Sequence, residues 1–388
     1  MTKTISILGS TGSIGRQTLD VVDLLNIKVA ALTCGSNLDL MAAQCRKYRP
    51  KLAVMATEES AAALRERIKD LPVEVCAGPT GLVKAATIPD ADTVITAVVG
   101  MMGLEPTLAA ARAGKRIGLA NKETLVCAGE LVMEEAKRFG AEIIPVDSEH
   151  SAIFQCLMGC QDKGEVRKLL LTASGGAFYG WNREQLQKAT KDQALRHPNW
   201  KMGPKITIDC ATMLNKGLEF IEAMRLYQMP PEKIQIVVHR QSIVHSLVEF
   251  TDGAVLAQLG VPDMRIPIQL ALTYPHRQPS PAQALDLLSC GPLTFEAPDP
   301  DTFPCLRLAM TAAKTGGTAC AVLNGANEAA VSCYLRDQIG FYDISDCISA
   351  ALDTVSFCAA PSLEDILQAD RQAREAACAY LRHAGKVI

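Results

Sequence analysis

One short run in this chain is dense in groups that can do chemistry: "PVDSEHSAIFQ", residues 145–155. Asp147 and Glu149 stand two apart, with Ser148 between them and His150 beyond. In an extended segment both carboxylates point to the same side. Two carboxylates at the carboxyl end of an apolar strand repel unless something neutralises them. A hard divalent cation does so with oxygen ligands. The same residues also suit a helix start, with Asp147 or Ser148 as N-cap and Glu149 in the first turn. A third acid lies in "CATMLNKGLEFIEAMRLY", read as one helix. Leu214, Leu218 and Ile221 form an apolar stripe, and Asn215, Lys216 and Glu219 share another face. That second face is either a solvated salt-bridge face or a hold on an anionic substrate beside a metal.

Two further stretches carry polar groups in irregular surroundings. "LLLTASGGAF" ends a strand in Ser174-Gly175-Gly176. Such a turn is either an ordinary glycine turn or one that offers N–H groups and a hydroxyl to phosphate. "ALRHPNWKMGPK" contains His197, Asn199, Trp200 and Met202, with one of only two tryptophans in the chain. It reads as an anchored loop or as a lid over a ligand. Near the N-terminus, "ILGSTGSIGRQTL" places glycines at 9, 12 and 15 between a strand and a helix. Backbone N–H groups and the positive helix end there suit a pyrophosphate; the alternative is a tight turn with no ligand. The second strand leads into Cys34-Gly35-Ser36-Asn37, with no acid until Asp39. An NAD site usually has an acid there for the ribose 2′-hydroxyl. Its absence, with Ser36 and Asn37 as donors, leans to NADP. Arg46 and Lys47 read as a solvated helix face.

The elements that must position these groups follow from pattern. "ISILG", "VAALT", "LAVMA", "TVITAVVG", "RIGLAN" and "EIIPVD" alternate with helical stretches over residues 4–147, which means βαβ units and a mostly parallel, doubly wound sheet. Residues 148–273 predict an α+β domain with a partly antiparallel sheet, including a hairpin at "TDG". Residues 274–301 hold six prolines and read as a linker. Residues 302–388 predict a helical bundle, broken at Gly316-Gly317, with Ser362 and Asp365 capping the last helix. The expected fold class is α/β: an N-terminal Rossmann-like dinucleotide domain (1–147), a central α+β catalytic domain and a C-terminal helical bundle. The 388 residues carry a net charge of −3, which argues against a nucleic-acid or polybasic membrane surface. No apolar run is long enough to span a bilayer, and the N-terminus reads as a strand rather than a leader, so a cytoplasmic protein is expected. The fourteen cysteines are scattered, without a CxxC pair, and read as small core hydrophobes.

Taken in order, "GSTGSIG", "LANKETLV", "PVDSEHSAIFQ", "TASGGAF", "RHPNWKMG", "ATMLNKGLEFIEA", "VLAQLGVPDMR" and "LNGANEAAV" resemble the 1-deoxy-D-xylulose 5-phosphate reductoisomerase family over almost the full length. The resemblance implies an NADPH- and metal-dependent homodimer that rearranges and reduces this ketose phosphate to 2-C-methyl-D-erythritol 4-phosphate on the non-mevalonate route to isoprenoid precursors. It implies Asp147, Glu149 and Glu219 as ligands of Mg²⁺, Mn²⁺ or Co²⁺. Ser148 and Lys122 would contact substrate oxygens. Ser174, Asn215 and Lys216 would clamp the phosphate, and His197 and Trp200 would lie on a flexible flap near 196–204. Cofactor contacts would be Thr11, Gly12, Ser13, Ile14, Gly35, Asn37, Asn121, Glu123 and Gly203. Three positions depart from the family pattern. Ser36 stands where some relatives have Lys or Arg, Arg240 replaces a usual proline, and Cys210 stands where a phosphate-binding serine is usual. Cys210 is expected at the start of the helix bearing Glu219. The competing readings are a semialdehyde-type NADP dehydrogenase, which usually needs a nucleophilic cysteine or another base constellation and does not need three carboxylates, and a non-enzymatic NADP-binding sensor.

Overall fold

Short runs of β-branched and apolar residues form the first sheet: β1 (Thr4–Leu8), β2 (Lys28–Cys34), β3 (Leu52–Met55), β4 (Glu74–Ala77), β5 (Thr93–Thr96), β6 (Arg116–Leu119) and β7 (Glu142–Pro145). The computed structural model describes residues 2–387. The seven strands are parallel in the order β4-β3-β2-β1-β5-β6-β7. Ile5, Ile7, Leu8, Ile95 and Ile117 have no exposed surface, as a sheet covered on both faces requires. The strand order reverses at β1, between β2 and β5, and the loops after β1 and β5 flank that switch point. β4 was not among the expected strands. Its sequence, Glu-Val-Cys-Ala, is short, and as an edge strand it is only partly covered.

These strands belong to the first of two compact units, which holds the chain up to Thr124, Glu130–Ser151 and Asp263–Ala284. Residues 263–284, read from sequence as partly domain and partly linker, count with this unit. Their helix, Arg265–Thr273, is tied in by Thr2, whose N–H donates to the Leu272 carbonyl at 3.1 Å. Arg116 Nη1 donates to the Tyr274 carbonyl at 2.8 Å.

The second unit holds Leu125–Gly129, Ala152–Pro262 and the chain from Leu285 onward. Its sheet consists of β8 (Val166–Ala173), β9 (Ile234–Val238), β10 (Val244–Phe250) and β11 (Val255–Leu259), in the order β11-β10-β8-β9. β8 and β9 are parallel, and β10 is antiparallel to β8 and β11, with the hairpin at the expected place. Helices Pro304–Thr315, Ala319–Leu335, Asp343–Thr354 and Leu363–His383 pack as the expected bundle. Gly316 and Gly317 separate the first two, and Ser362 with Asp365 forms a capping box on the last.

The expected helix from Cys210 to Tyr227 is two helices. Pro204–Ala211 ends, Met213 takes a left-handed conformation (φ 62°), and Leu214–Tyr227 begins. No glycine or proline marks this break, so the sequence pattern ran through it.

Candidate functional site

In the first unit, the glycine turn sits at the sheet's switch point. Gly9 has φ +90°, and a Cβ there would stand 2.6 Å from the Ala97 carbonyl oxygen, so only glycine brings the two loops this close. Gly12 is the N-cap residue of helix Ser13–Leu25 and supplies no side-chain cap. The first N–H groups of that helix are therefore left for a ligand, and the helix dipole favours an anion there. This is the fit a pyrophosphate needs. Thr11 lies beside it, its hydroxyl 3.1 Å from Cys34 Sγ. Gly12 and Ser13 are exposed, Thr11 and Ile14 half-buried, and Gly35, Ser36 and Asn37 exposed at the end of β2. Asn37 caps helix Leu38–Tyr48 through Oδ1, accepting from the Leu40 N–H. The first acid after β2, Asp39, is paired with Arg67. Arg46 and Lys47 are exposed and paired with Asp70 and Asp23, as a solvated face predicts.

Asn121 is buried at the N-terminus of helix Lys122–Phe139. Its Oδ1 caps that helix at Thr124, while Nδ2 donates to the carbonyls of Val98 (2.8 Å) and Gly100 (3.0 Å) and to Glu123 (3.1 Å). Its side chain thus shapes the loop after β5 and orients Glu123.

The carboxylate run departs from the extended geometry assumed from sequence. β7 stops at Pro145 and a helix, Ser148–Cys156, begins at once. Asp147 caps it: Oδ1 accepts from the N–H groups of Glu149 (3.2 Å) and His150 (3.4 Å). Glu149 lies in the first turn, not two residues along a strand. The two acids still lie side by side, with one carboxylate oxygen from each within 4.8 Å of the other. Capping and pairing therefore coexist. Lys122 Nζ lies 3.2 Å from Asp147 Oδ2, with both side chains largely buried. Ser148 Oγ donates to Glu149 Oε2 at 2.5 Å. Two carboxylates held this close offer the oxygen ligands a hard cation takes, and the Lys122 ammonium offsets part of their charge.

In the second unit, Asn215, Lys216 and Glu219 are 8%, 4% and 1% exposed, which removes the solvated-face reading. Asn215 Nδ2 and Lys216 Nζ both donate to the Glu219 carboxylate. A buried ion pair of this kind is costly to assemble and is weak evidence of a stabilising role; it points to a polar site. Ser174 follows β8, and Gly175 and Gly176 after it both have positive φ. His197 Nε2 lies 2.8 Å from Ser174 Oγ. Its Nδ1 accepts from the N–H groups of Asn199 (3.2 Å) and Trp200 (3.0 Å). That assigns the proton to Nε2, which donates to Ser174. Burial first, and the Arg240 guanidinium second, push the imidazole down to about 4. Trp200 lies 6.1 Å from His245, ring centre to ring centre. Gly203 is the exposed N-cap residue of helix Pro204–Ala211.

Cys210 is not where the sequence placed it. It occupies the last turn of Pro204–Ala211, one helix before the one bearing Glu219. There it lies at the negative end of a helix dipole, which does not favour an anion. Sequence reasoning also missed Arg240, whose guanidinium binds the Ser174–Gly176 turn. Its replacement of a proline was the only signal.

Comparison with known proteins agrees with these features. Family models match residues 5–129 (1-deoxy-D-xylulose 5-phosphate reductoisomerase), 143–227 (its C-terminal domain) and 259–376 (DXP reductoisomerase C-terminal domain). The 1-deoxy-D-xylulose 5-phosphate reductoisomerase of Ruminiclostridium cellulolyticum is 53% identical over 97% of this chain and 99% of its own. That of Heliobacterium modesticaldum is 53% identical over 96% of each. Among solved structures, a DOX-P reductoisomerase in complex with NADPH, fosmidomycin and magnesium superposes with a TM-score of 0.94 at 44% identity, covering 98% of both chains. The Zymomonas mobilis enzyme in complex with NADPH gives 0.91 at 44% identity, covering 98% of this chain and 99% of that one. With these matches along its whole length, the chain belongs to the 1-deoxy-D-xylulose 5-phosphate reductoisomerase family.

Proposed function

We propose that this protein is an NADPH- and divalent-metal-dependent enzyme that converts 1-deoxy-D-xylulose 5-phosphate to 2-C-methyl-D-erythritol 4-phosphate. The full-length identity of about half with reductoisomerases carries this reading. Asp147, Glu149 and Glu219 are the metal ligands. A cation held by them supplies Lewis-acid polarisation of the substrate's carbonyl and neighbouring oxygen. Thr11, Gly12, Ser13, Ile14, Gly35, Asn37, Asn121, Glu123 and Gly203 hold the cofactor, which supplies hydride. With Asp39 already paired, no free acid follows β2 to repel a 2′-phosphate. Lys122 and Ser148 orient the substrate's oxygens. Ser174, Asn215 and Lys216 bind its phosphate, and the segment with His197 and Trp200 closes over it and excludes water.

The semialdehyde-type alternative usually needs a thiol with lowered pKa or another base constellation, and has no use for three carboxylates. Where cysteine ionisation is shifted here (Cys45, Cys76, Cys156, Cys160, Cys305 and Cys347), burial raises it. Absence of disulfides among fourteen cysteines suits a reducing compartment, and we place the enzyme in the cytoplasm. Among the described residues no helix is long and apolar enough to cross a membrane. We also infer a homodimer, supported by the apolar edge strand β11.

The test is NADPH oxidation with 1-deoxy-D-xylulose 5-phosphate, with and without Mn²⁺. Activity is expected only with the metal, and Asp147→Asn or Glu149→Gln should lower kcat/KM by at least about a hundredfold, the several kcal/mol a Lewis acid contributes. Full turnover in chelator, or normal metal affinity and turnover in both variants, removes the assignment. Glu219→Gln should in addition lower the thermal midpoint, because Lys216 and Asn215 lose a buried carboxylate.

A further inference from the structure

We propose that Arg240 is a positioning residue for phosphate recognition, holding the Ser174–Gly176 turn and the His197–Trp200 segment in the one arrangement that presents Ser174 to the substrate. This rests on the reading of Ser174 as a phosphate ligand.

Arg240 meets both segments. Its Nη1 donates to the carbonyl oxygens of Ser174 (2.6 Å) and Gly176 (2.8 Å). These belong to one turn whose two glycines both have positive φ, a conformation with little intrinsic preference for a single geometry. Two bonds from one cationic nitrogen fix it. They also satisfy two carbonyl oxygens of the turn with charge-assisted bonds. The Gly176 N–H in turn donates to Ser174 Oγ at 3.2 Å, so the hydroxyl's place depends on the turn.

The backbone of Arg240 ties down the other segment. Its carbonyl accepts from Asn199 Nδ2 at 2.6 Å, and the same Nδ2 lies 2.8 Å from Ser242 Oγ. The Asn199 N–H donates to His197 Nδ1, and His197 Nε2 reaches Ser174 Oγ. The path from Arg240 thus closes on Ser174 from both sides. The guanidinium is itself held: its Cζ lies over the Tyr179 ring, 4.5 Å from the centroid, and the Tyr179 hydroxyl donates to Glu296 at 2.6 Å. Proline at this position would supply neither the side-chain donor nor the stacking. Lysine could reach the two carbonyls but not stack as a planar group.

The experiment compares Arg240→Met, Arg240→Lys and Ser174→Ala in steady-state assays. Substrate is varied at saturating NADPH and Mn²⁺, then NADPH at saturating substrate. Arg240→Met should raise the substrate KM roughly tenfold, the scale of one hydrogen bond from a charged group. kcat should fall less, and the KM for NADPH should stay unchanged. Arg240→Lys should recover most of the loss. The thermal shift that inorganic phosphate gives the wild type should be lost in Arg240→Met. An unchanged substrate KM and phosphate shift in Arg240→Met, with Ser174→Ala raising KM, overturns the role of Arg240 alone. An unchanged KM in Ser174→Ala overturns the phosphate reading and this inference with it. Equal rises in both KM values in Arg240→Met, with no recovery by lysine, would show a general structural role and also overturn the proposal.

Discussion

The Nδ1 atom of His197 accepts from two backbone N–H groups, and an atom that accepts cannot carry a proton. The ring is therefore held neutral by geometry as well as by burial and Arg240. In the unfolded chain it titrates near 6.5; in the folded chain at about 4. Between these values the unfolded chain binds the proton and the folded one does not. Stability therefore rises with pH from about 4 to about 6.5 and is flat above that range as far as this residue is concerned. On lowering pH from about 7 to about 5, the wild type should lose thermal stability relative to His197→Asn, which cannot titrate. Proton NMR of the ring should show no titration above about pH 5; a midpoint at 6 or higher refutes the tautomer assigned here. Little of this was legible in the sequence. The residue types "RHPNW" suggested a loop that covers something, but which ring nitrogen faces Ser174 depends on backbone that only folding brings around.

Between residues and domains, the informative element is the turn after β8. Its glycines were visible in sequence, yet the pattern left open whether they merely turn the chain. The structure distinguishes the two glycines from one another. Gly175 and Gly176 have φ +77° and +66°, so both penalise a side chain through the backbone. A Cβ on Gly175 would meet the Tyr179 ring at 3.0 Å, a side chain that can shift. A Cβ on Gly176 would run into the Cys210 carbonyl, which is helix backbone and cannot. Gly176→Ala should therefore cost more than Gly175→Ala, by about 1–3 kcal/mol in denaturant unfolding, and should raise the substrate KM as well. Equal losses in the two variants would mean that contact with Pro204–Ala211 does not define the turn. The same contact explains where pattern reading failed nearby. Apolar periodicity runs without interruption through Thr212 and Met213, because a methionine in the left-handed region announces itself by neither glycine nor proline. The break moved Cys210 onto a different helix from Glu219. By contrast the strands of both sheets other than the edge strand β4, the 251–253 hairpin and the cap at Ser362 were readable, since each follows from a short apolar run, a turn residue or a side chain acting within a few positions.

On the scale of the molecule, local pattern says least. Nothing in residues 263–284 announces that they join the first sheet's unit, because that return is made by backbone bonds such as Thr2 to Leu272, far apart in sequence. Assembly is the same kind of property, and β11 is where the fold makes it testable. This strand is the edge of its sheet, so one row of its N–H and C=O groups has no ladder partner within the chain. Isolated edges are usually blunted by charge, proline or a bulge. β11 reads Val-Leu-Ala-Gln-Leu, with no charge, and Val255, Leu256 and Leu259 are 47%, 51% and 36% exposed. An apolar, uncharged edge left open would invite uncontrolled pairing. Pairing with the same strand of a second copy satisfies the backbone groups and covers the side chains in a closed two-fold arrangement. Leu256→Lys places a charge in that strand at a position not assigned to metal, cofactor or phosphate. Light scattering should then report a dimer for the wild type and a monomer for the variant at micromolar concentration, with the circular dichroism of the fold retained. A wild type that is monomeric throughout, or a Leu256→Lys variant that stays dimeric, would place any association elsewhere on the surface and leave β11 as an exposed edge that needs another explanation.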